Sequence, residues 1–95
     1  MAEPPAPGDV LAVLIQLAEE TLPDRRIGAE DALLGPDAQM DSMELVSYVV
    51  DVQEVAFERW QRDIVLADER ALSRTRSPFR TLAALAELVV ERLHE

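Results

Sequence analysis

The prolines and glycines of this chain are clustered, and between the clusters apolar residues recur at helical spacing. Pro4, Pro5, Pro7 and Gly8 open the chain, Pro23, Gly28, Gly35 and Pro36 follow, and Pro78 stands near the end. Proline is excluded from helix interiors, so the long regular elements must lie between these marks. Residues 1–8 read as a disordered lead-in. Asp9 is the expected N-cap of a first helix over 9–21, with Leu11, Leu14, Ile15, Ala18 and Leu22 as its apolar stripe and Pro23 as its stop. Residues 23–40 read as a connection, long enough to be functional or packed, with Leu33 and Leu34 turned inward and a single turn near Ala29–Leu33.

A second helix is expected over 42–58. Its stripe is Val46, Val49, Val52, Gln53 and Ala56, with Leu45, Tyr48 and Phe57 beside it. The many valines favour a strand, but length and the helical spacing of the acids decide for helix. Ile64-Val65-Leu66 reads as extended, and Asp68 to Leu72 as a short third helix. Thr81 caps a last helix whose stripe is Leu82, Leu85, Ala86, Val89 and Leu93; Ser77-Pro78 is a rival start. The expected fold class is all-α: a four-helix bundle of three longer helices and one short one, forming one domain over 9–93 with a long first loop. Trp60 is expected at the edge of the core. For Tyr48, packing inward and rimming the path of an arm carried by the second helix both stay open.

Charge and composition exclude several functions. The formal net charge is −10, and all nine basic residues are arginine. Such a surface repels nucleic acid and anionic lipid and favours basic protein partners. With no cysteine there is neither thiol chemistry nor a cysteine-ligated metal. No secretory signal and no transmembrane run is evident, so a soluble, cytoplasmic, monomeric protein is expected. The single histidine, His94, lies at the C-terminus, too far out to serve a Ser-His-Asp arrangement. No acid pair is singled out for acid–base work. Nothing here points to an enzyme.

Ser42 follows Asp41 at the expected start of the second helix. Asp41-x-x-Glu44 fits a capping box, in which Ser42 is merely a tolerated first residue. The sharper reading turns on location. A helix start presents unpaired N–H groups and the positive end of the dipole, so a phosphate attached there is electrostatically welcome. A serine with no base beside it is a poor nucleophile, but it is a good attachment point when another enzyme performs the chemistry.

The stretch "MDSMELV", the long first loop, "ADERAL" and the closing "SPFRTLAALAELV" together resemble the acyl carrier protein family, including its peptidyl and D-alanyl carrier branches. The resemblance covers roughly residues 10–93. It implies a 4′-phosphopantetheine esterified to Ser42 within the Asp41-Ser42 motif, and a cargo held on its thiol as a thioester. It implies a phosphopantetheinyl transferase, an adenylating ligase and an acyltransferase or synthase as partners, in a secondary-metabolite or related biosynthetic pathway. Met43 is similar to the family's partner-contacting apolar residue. Helical spacing puts Met43, Ser47, Val50 and Glu54 near one face, with Glu44 and Asp51 flanking it. The chain departs from the family in having Gln39 where glycine is common and Ser47 where fatty-acid carriers have glutamate. Methionine at 43 and serine at 47 lean the cargo towards aminoacyl or small acyl groups. The alternative is an acidic helical adaptor with no prosthetic group.

Overall fold

The computed structural model describes residues 5–33, 37–66 and 79–94 and, at Ser42, the backbone alone. The first helix, α1 (Pro7–Thr21), starts two residues before the position expected for it. Ala6 is its N-cap and Pro7 takes the first helical position, where a missing N–H removes no intrahelical bond. Asp9 is therefore not the cap. It sits in the first turn, where its charge meets the positive end of the helix dipole. The expected disordered lead over 1–8 is corrected accordingly: residues 7 and 8 are helical. Val10, Leu14 and Ala18 form the buried edge of α1, four residues apart.

The second helix, α2 (Ser42–Trp60), runs two residues past its expected end. Gln61 closes it in the left-handed region at φ 57°, and its side-chain amide donates to the Glu58 carbonyl. Leu45, Tyr48, Val49, Val52 and Ala56 are buried. Val46 and Phe57, expected inside or beside the stripe, face outward. The helix is thus rotated towards its Leu45 and Tyr48 side. Valines surround much of α2, so apolarity alone does not say which side packs. Trp60 lies half-buried against the core's edge, as expected.

The last helix, α3 (Leu82–Leu93), is capped by Thr81, whose hydroxyl accepts from the Ala84 amide at 3.1 Å. This settles the start in favour of Thr81 over Ser77-Pro78. Its whole expected stripe is buried, and Leu88 and Arg92 are buried with it. Arg92 donates from Nε to the Val65 carbonyl at 3.1 Å. The helix α1 packs on α3 and, less extensively, on α2.

The segment between α1 and α2 is irregular but anchored. Ala32 forms an isolated antiparallel bridge with Thr81. Leu33 donates to the Arg80 carbonyl at 2.8 Å, and Ala83 donates to the Ala29 carbonyl at 3.0 Å. The second bond matters because Ala83 lies in the first turn of α3, where amides lack helical partners. The connection therefore helps to cap α3. The expected turn near 29–33 is present as a hydrogen-bonded turn from Gly28 to Asp31, and the Asp31 carboxylate accepts from the Gly28 amide at 2.7 Å. Ile27, Leu33 and Met40 fill the core from this segment.

Residues 61–66 lie outside regular secondary structure, with Ile64 and Leu66 buried and Val65 exposed. Gln53 accepts from the Leu66 amide at 2.9 Å, so its place on the half-buried flank of α2 anchors this strap. The short helix expected at 68–72 and the inward Leu34 lie outside the described residues. Among those described there are three helices and no strand, consistent with a small helical bundle. No described helix is long and apolar enough to cross a membrane.

The rotation of α2 yields a stability contrast. Leu85→Ala should cost about 2–5 kcal/mol, because the site is fully enclosed. Val46→Ala should stay within about 0.5 kcal/mol, as for an exposed side chain. Denaturant melts of both variants test the assignment; comparable losses at the two positions would reverse the helix face.

Candidate functional site

The start of α2 is held by reciprocal bonds. The Glu44 amide donates to Asp41 Oδ1 at 2.7 Å, and the Asp41 amide donates to Glu44 Oε1 at 3.0 Å. This is the capping box expected from Asp41-x-x-Glu44. Ser42 takes the first helical position, one residue past the cap. Capping is thus carried by Asp41 and Glu44, and the serine is not required for it.

A third residue reaches this box from the connection. Arg25 Nη1 donates to Glu44 Oε1 at 2.7 Å and to the Gln39 carbonyl at 2.9 Å. A looser contact of 3.8 Å joins Arg25 to its neighbour Asp24. The Arg25 and Glu44 side chains are only 34% and 27% exposed. The Arg25 hydrogen bond holds the Glu44 carboxyl below the usual carboxylate range, helped by the Asp41 amide and opposed by partial burial. The same bond raises the Arg25 guanidinium. Arg25 was not legible as a site residue. It lies in an irregular segment nineteen positions before Glu44, and no periodicity links the two.

This pairing adds to the expected role of Glu44. Its charge, expected to flank the partner-contacting face, is also bonded within the chain. Met43 and Ser47 are exposed as expected, Val50 and Glu54 likewise, and Asp51 is half-buried. Met43 is 79% exposed and Val50 46%, and the sequence reading missed two companions, Val46 at 65% and Phe57 at 56%. Positions 43, 46, 50 and 57 fall on one narrow arc of an α-helix, since 3.6 residues complete a turn. They form an apolar stripe from the helix start to its last turn. Ser47, Glu54 and Glu58 run along one side of it, all exposed.

A shallow groove of about 380 Å³ lies on the same flank as Ser47, between the end of α1 and the first turns of α2. Thr21 and Leu22 form one wall; Asp41, Met43, Ser47 and Asp51 belong to the other. The Tyr48 ring also borders it. That residue is buried, and its hydroxyl donates to the Leu14 carbonyl at 2.6 Å. Tyr48 thus packs inward, and its edge meets the groove. Burial, with the nearby Asp51 charge, pushes its phenol well above the ordinary value.

Five of the eight expected site residues therefore border the groove: Asp41, Met43, Glu44, Ser47 and Asp51, with the Ser42 backbone at the helix start between Asp41 and Met43. Val50 and Glu54 stand farther along the outer face. Among the described residues no group of acids and histidine is arranged to hold a metal ion. His94 is exposed at the far end of α3.

The Arg25 bond has a measurable signature. A depressed Glu44 pKa means the pair contributes stability above the ordinary carboxylate value and loses it as pH falls through the lowered one. NMR titration of the Glu44 carboxyl should give a midpoint below the usual glutamate range. In Arg25→Ala the midpoint should move up towards that range. An unmoved midpoint would mean the bond is absent in solution.

Compared with known proteins, the chain matches no family model and shows no significant similarity to any curated protein or solved structure.

Proposed function

We propose that this chain is a stand-alone carrier protein of the acyl carrier kind, bearing a 4′-phosphopantetheine arm on Ser42. The observation that carries the reading is the position of Ser42: first residue of α2, directly behind a cap that works without it, and next to an exposed methionine. The arm, when attached, supplies a thiol on which cargo is held as a thioester. The site suits such a group chemically. The capping box accounts for the amides of Asp41 and Glu44, and those of Ser42 and Met43 head the helix, where its positive end favours a phosphodiester. The remainder of the proposed fold, a four-helix acyl-carrier bundle, agrees with the three helices and with the long anchored connection.

The residues of the chain present the arm and do no chemistry on it. A phosphopantetheinyl transferase attaches it; an adenylating ligase loads it; an acyltransferase or synthase unloads it. The protein acts in the cytoplasm as a substrate of these enzymes, with aminoacyl or small acyl cargo, in a biosynthetic pathway of the secondary-metabolite type. Partners dock on the outer face of α2. Met43, Val46 and Val50 give them an apolar anchor, and Glu54 and Ser47 give a polar margin on one side.

One observation favours a second reading. The apolar stripe continues to Phe57, four turns beyond Ser42. A surface that long can dock a partner helix with no arm at all, as an acidic adaptor would.

Incubation with coenzyme A and a broad-specificity transferase separates the two readings. Intact-protein mass spectrometry should show one added phosphopantetheine on the parent chain and none on Ser42→Ala. A folded parent that gains no mass favours the adaptor, and modification persisting in Ser42→Ala moves the site elsewhere.

Docking adds a second expectation. Met43→Ala should weaken the complex with a cognate ligase by about 1–2 kcal/mol if that side chain becomes buried there. Glu54→Arg should chiefly slow association, with a deficit that shrinks as salt rises. Binding kinetics at several ionic strengths check both, and parental behaviour of both folded variants would move the docking surface off this face.

A further inference from the structure

The bonds around Ser42 do not come from α2 alone. A helix start capped only by its own side chains can fray with its first turn, because each bond there lies within four residues. Here one nitrogen from a distant segment bonds on both sides of Ser42. Arg25 Nη1 donates to the Gln39 carbonyl, three residues before the serine, and to Glu44, two residues after it. Glu44 Oε1 also accepts the Asp41 amide, so Arg25, Gln39, Asp41 and Glu44 form one closed set of bonds. The Arg25 segment is itself fixed, since Arg25 donates its amide to Leu22 at the end of α1 and the next residues lead to buried Ile27.

We infer that Arg25 is a positioning residue for modification of Ser42: it straddles the serine and holds the backbone on both sides of it in the geometry the transferase uses. The inference rests on the carrier reading of Ser42. Its physical basis is pre-organisation. An enzyme that must place a serine oxygen in line with a phosphorus gains when the serine's backbone is already held, and a displacement on the ångström scale is costly in rate. Two charge-assisted bonds from one guanidinium nitrogen supply that hold more firmly than neutral bonds would. Arg25 touches neither the donor nor the reacting atoms, so its effect should appear in turnover and not in coenzyme A binding.

The test measures steady-state arm addition to the full chain by a broad-specificity transferase. Arg25→Ala should lower kcat on the order of tenfold while the KM for coenzyme A stays parental. Arg25→Lys should recover most of that loss, because both bonds leave a single nitrogen and an ammonium carries three donors. Arg26→Ala removes the same charge from the next position, which is exposed, and should load like the parent. If Arg25→Ala does not fold, Arg25→Gln keeps much of the stem, removes the charge and carries the same expectation. A loaded parent with equally fast Arg25→Ala overturns the inference and leaves the carrier reading standing. Equal losses in Arg25→Ala and Arg26→Ala also overturn it, in favour of simple charge steering. A parent that gains no arm overturns the carrier reading and takes this inference with it.

Discussion

The arrangement of the molecule follows from how much of α3 must be kept from water. Leu82, Leu85, Leu88 and Val89 have no exposed surface, and Ala86, Arg92 and Leu93 are nearly as enclosed. At 100° per residue these positions sweep close to half the helix circumference. A single neighbouring helix covers a narrower stripe than that. The helix α1 supplies one wall; the 22–41 connection and the 61–66 strap add buried side chains of their own. Both irregular segments are tied to α3 by polar bonds as well, through Leu33, Ala83 and Arg92. Among the described residues no buried side-chain nitrogen or oxygen lacks a partner. An irregular segment enters a core at low cost only when its backbone groups are satisfied in this way. The same segment delivers Arg25 and Gln39 to the start of α2, so the site inherits its geometry from the burial of α3.

Where sequence reasoning succeeded, the signal was local or strongly periodic. Thr81 announces its helix because a cap residue and a clean apolar repeat coincide. Asp41 and Glu44 are legible for the same reason, being three residues apart. Orientation of α2 was not legible. Valine and phenylalanine stand on its outer side as well as its inner one, and the apolar pattern fits more than one rotation. The start of α1 was misplaced because Asp9 is a better cap by residue type than Ala6. Proline at the first position outweighs that preference, since its fixed φ already matches a helix. The role of Arg25 has no sequence signal at all. Pairs made across an irregular connection depend on where the chain returns, which only the packed fold decides.

Acidity in this chain is not uniform in its availability. Asp41 and Glu44 accept from backbone amides, and Glu44 is also paired with Arg25. Glu54 and Glu58 stand exposed on the outer half of α2. An approaching cation thus meets Asp41, Glu54 and Glu58 exposed, with Glu44 paired to Arg25. Charge would steer the approach, and the apolar side chains would fix the register. Screened charges speed encounter without adding much to residence.

The tie between the connection and α3 has a consequence for how the molecule opens. The Leu33 and Ala83 amides are partnered across the two segments, so neither can exchange with solvent unless that seam parts. Cooperative opening should then group the 29–33 stretch with the N-terminal turn of α3, and not with α1, its neighbour in the chain. A protein that tugs on the beginning of α2 pulls, through Gln39 and its bond to Ala32, on the most deeply enclosed helix of the fold. Load applied at the start of α2 is thereby carried to the core.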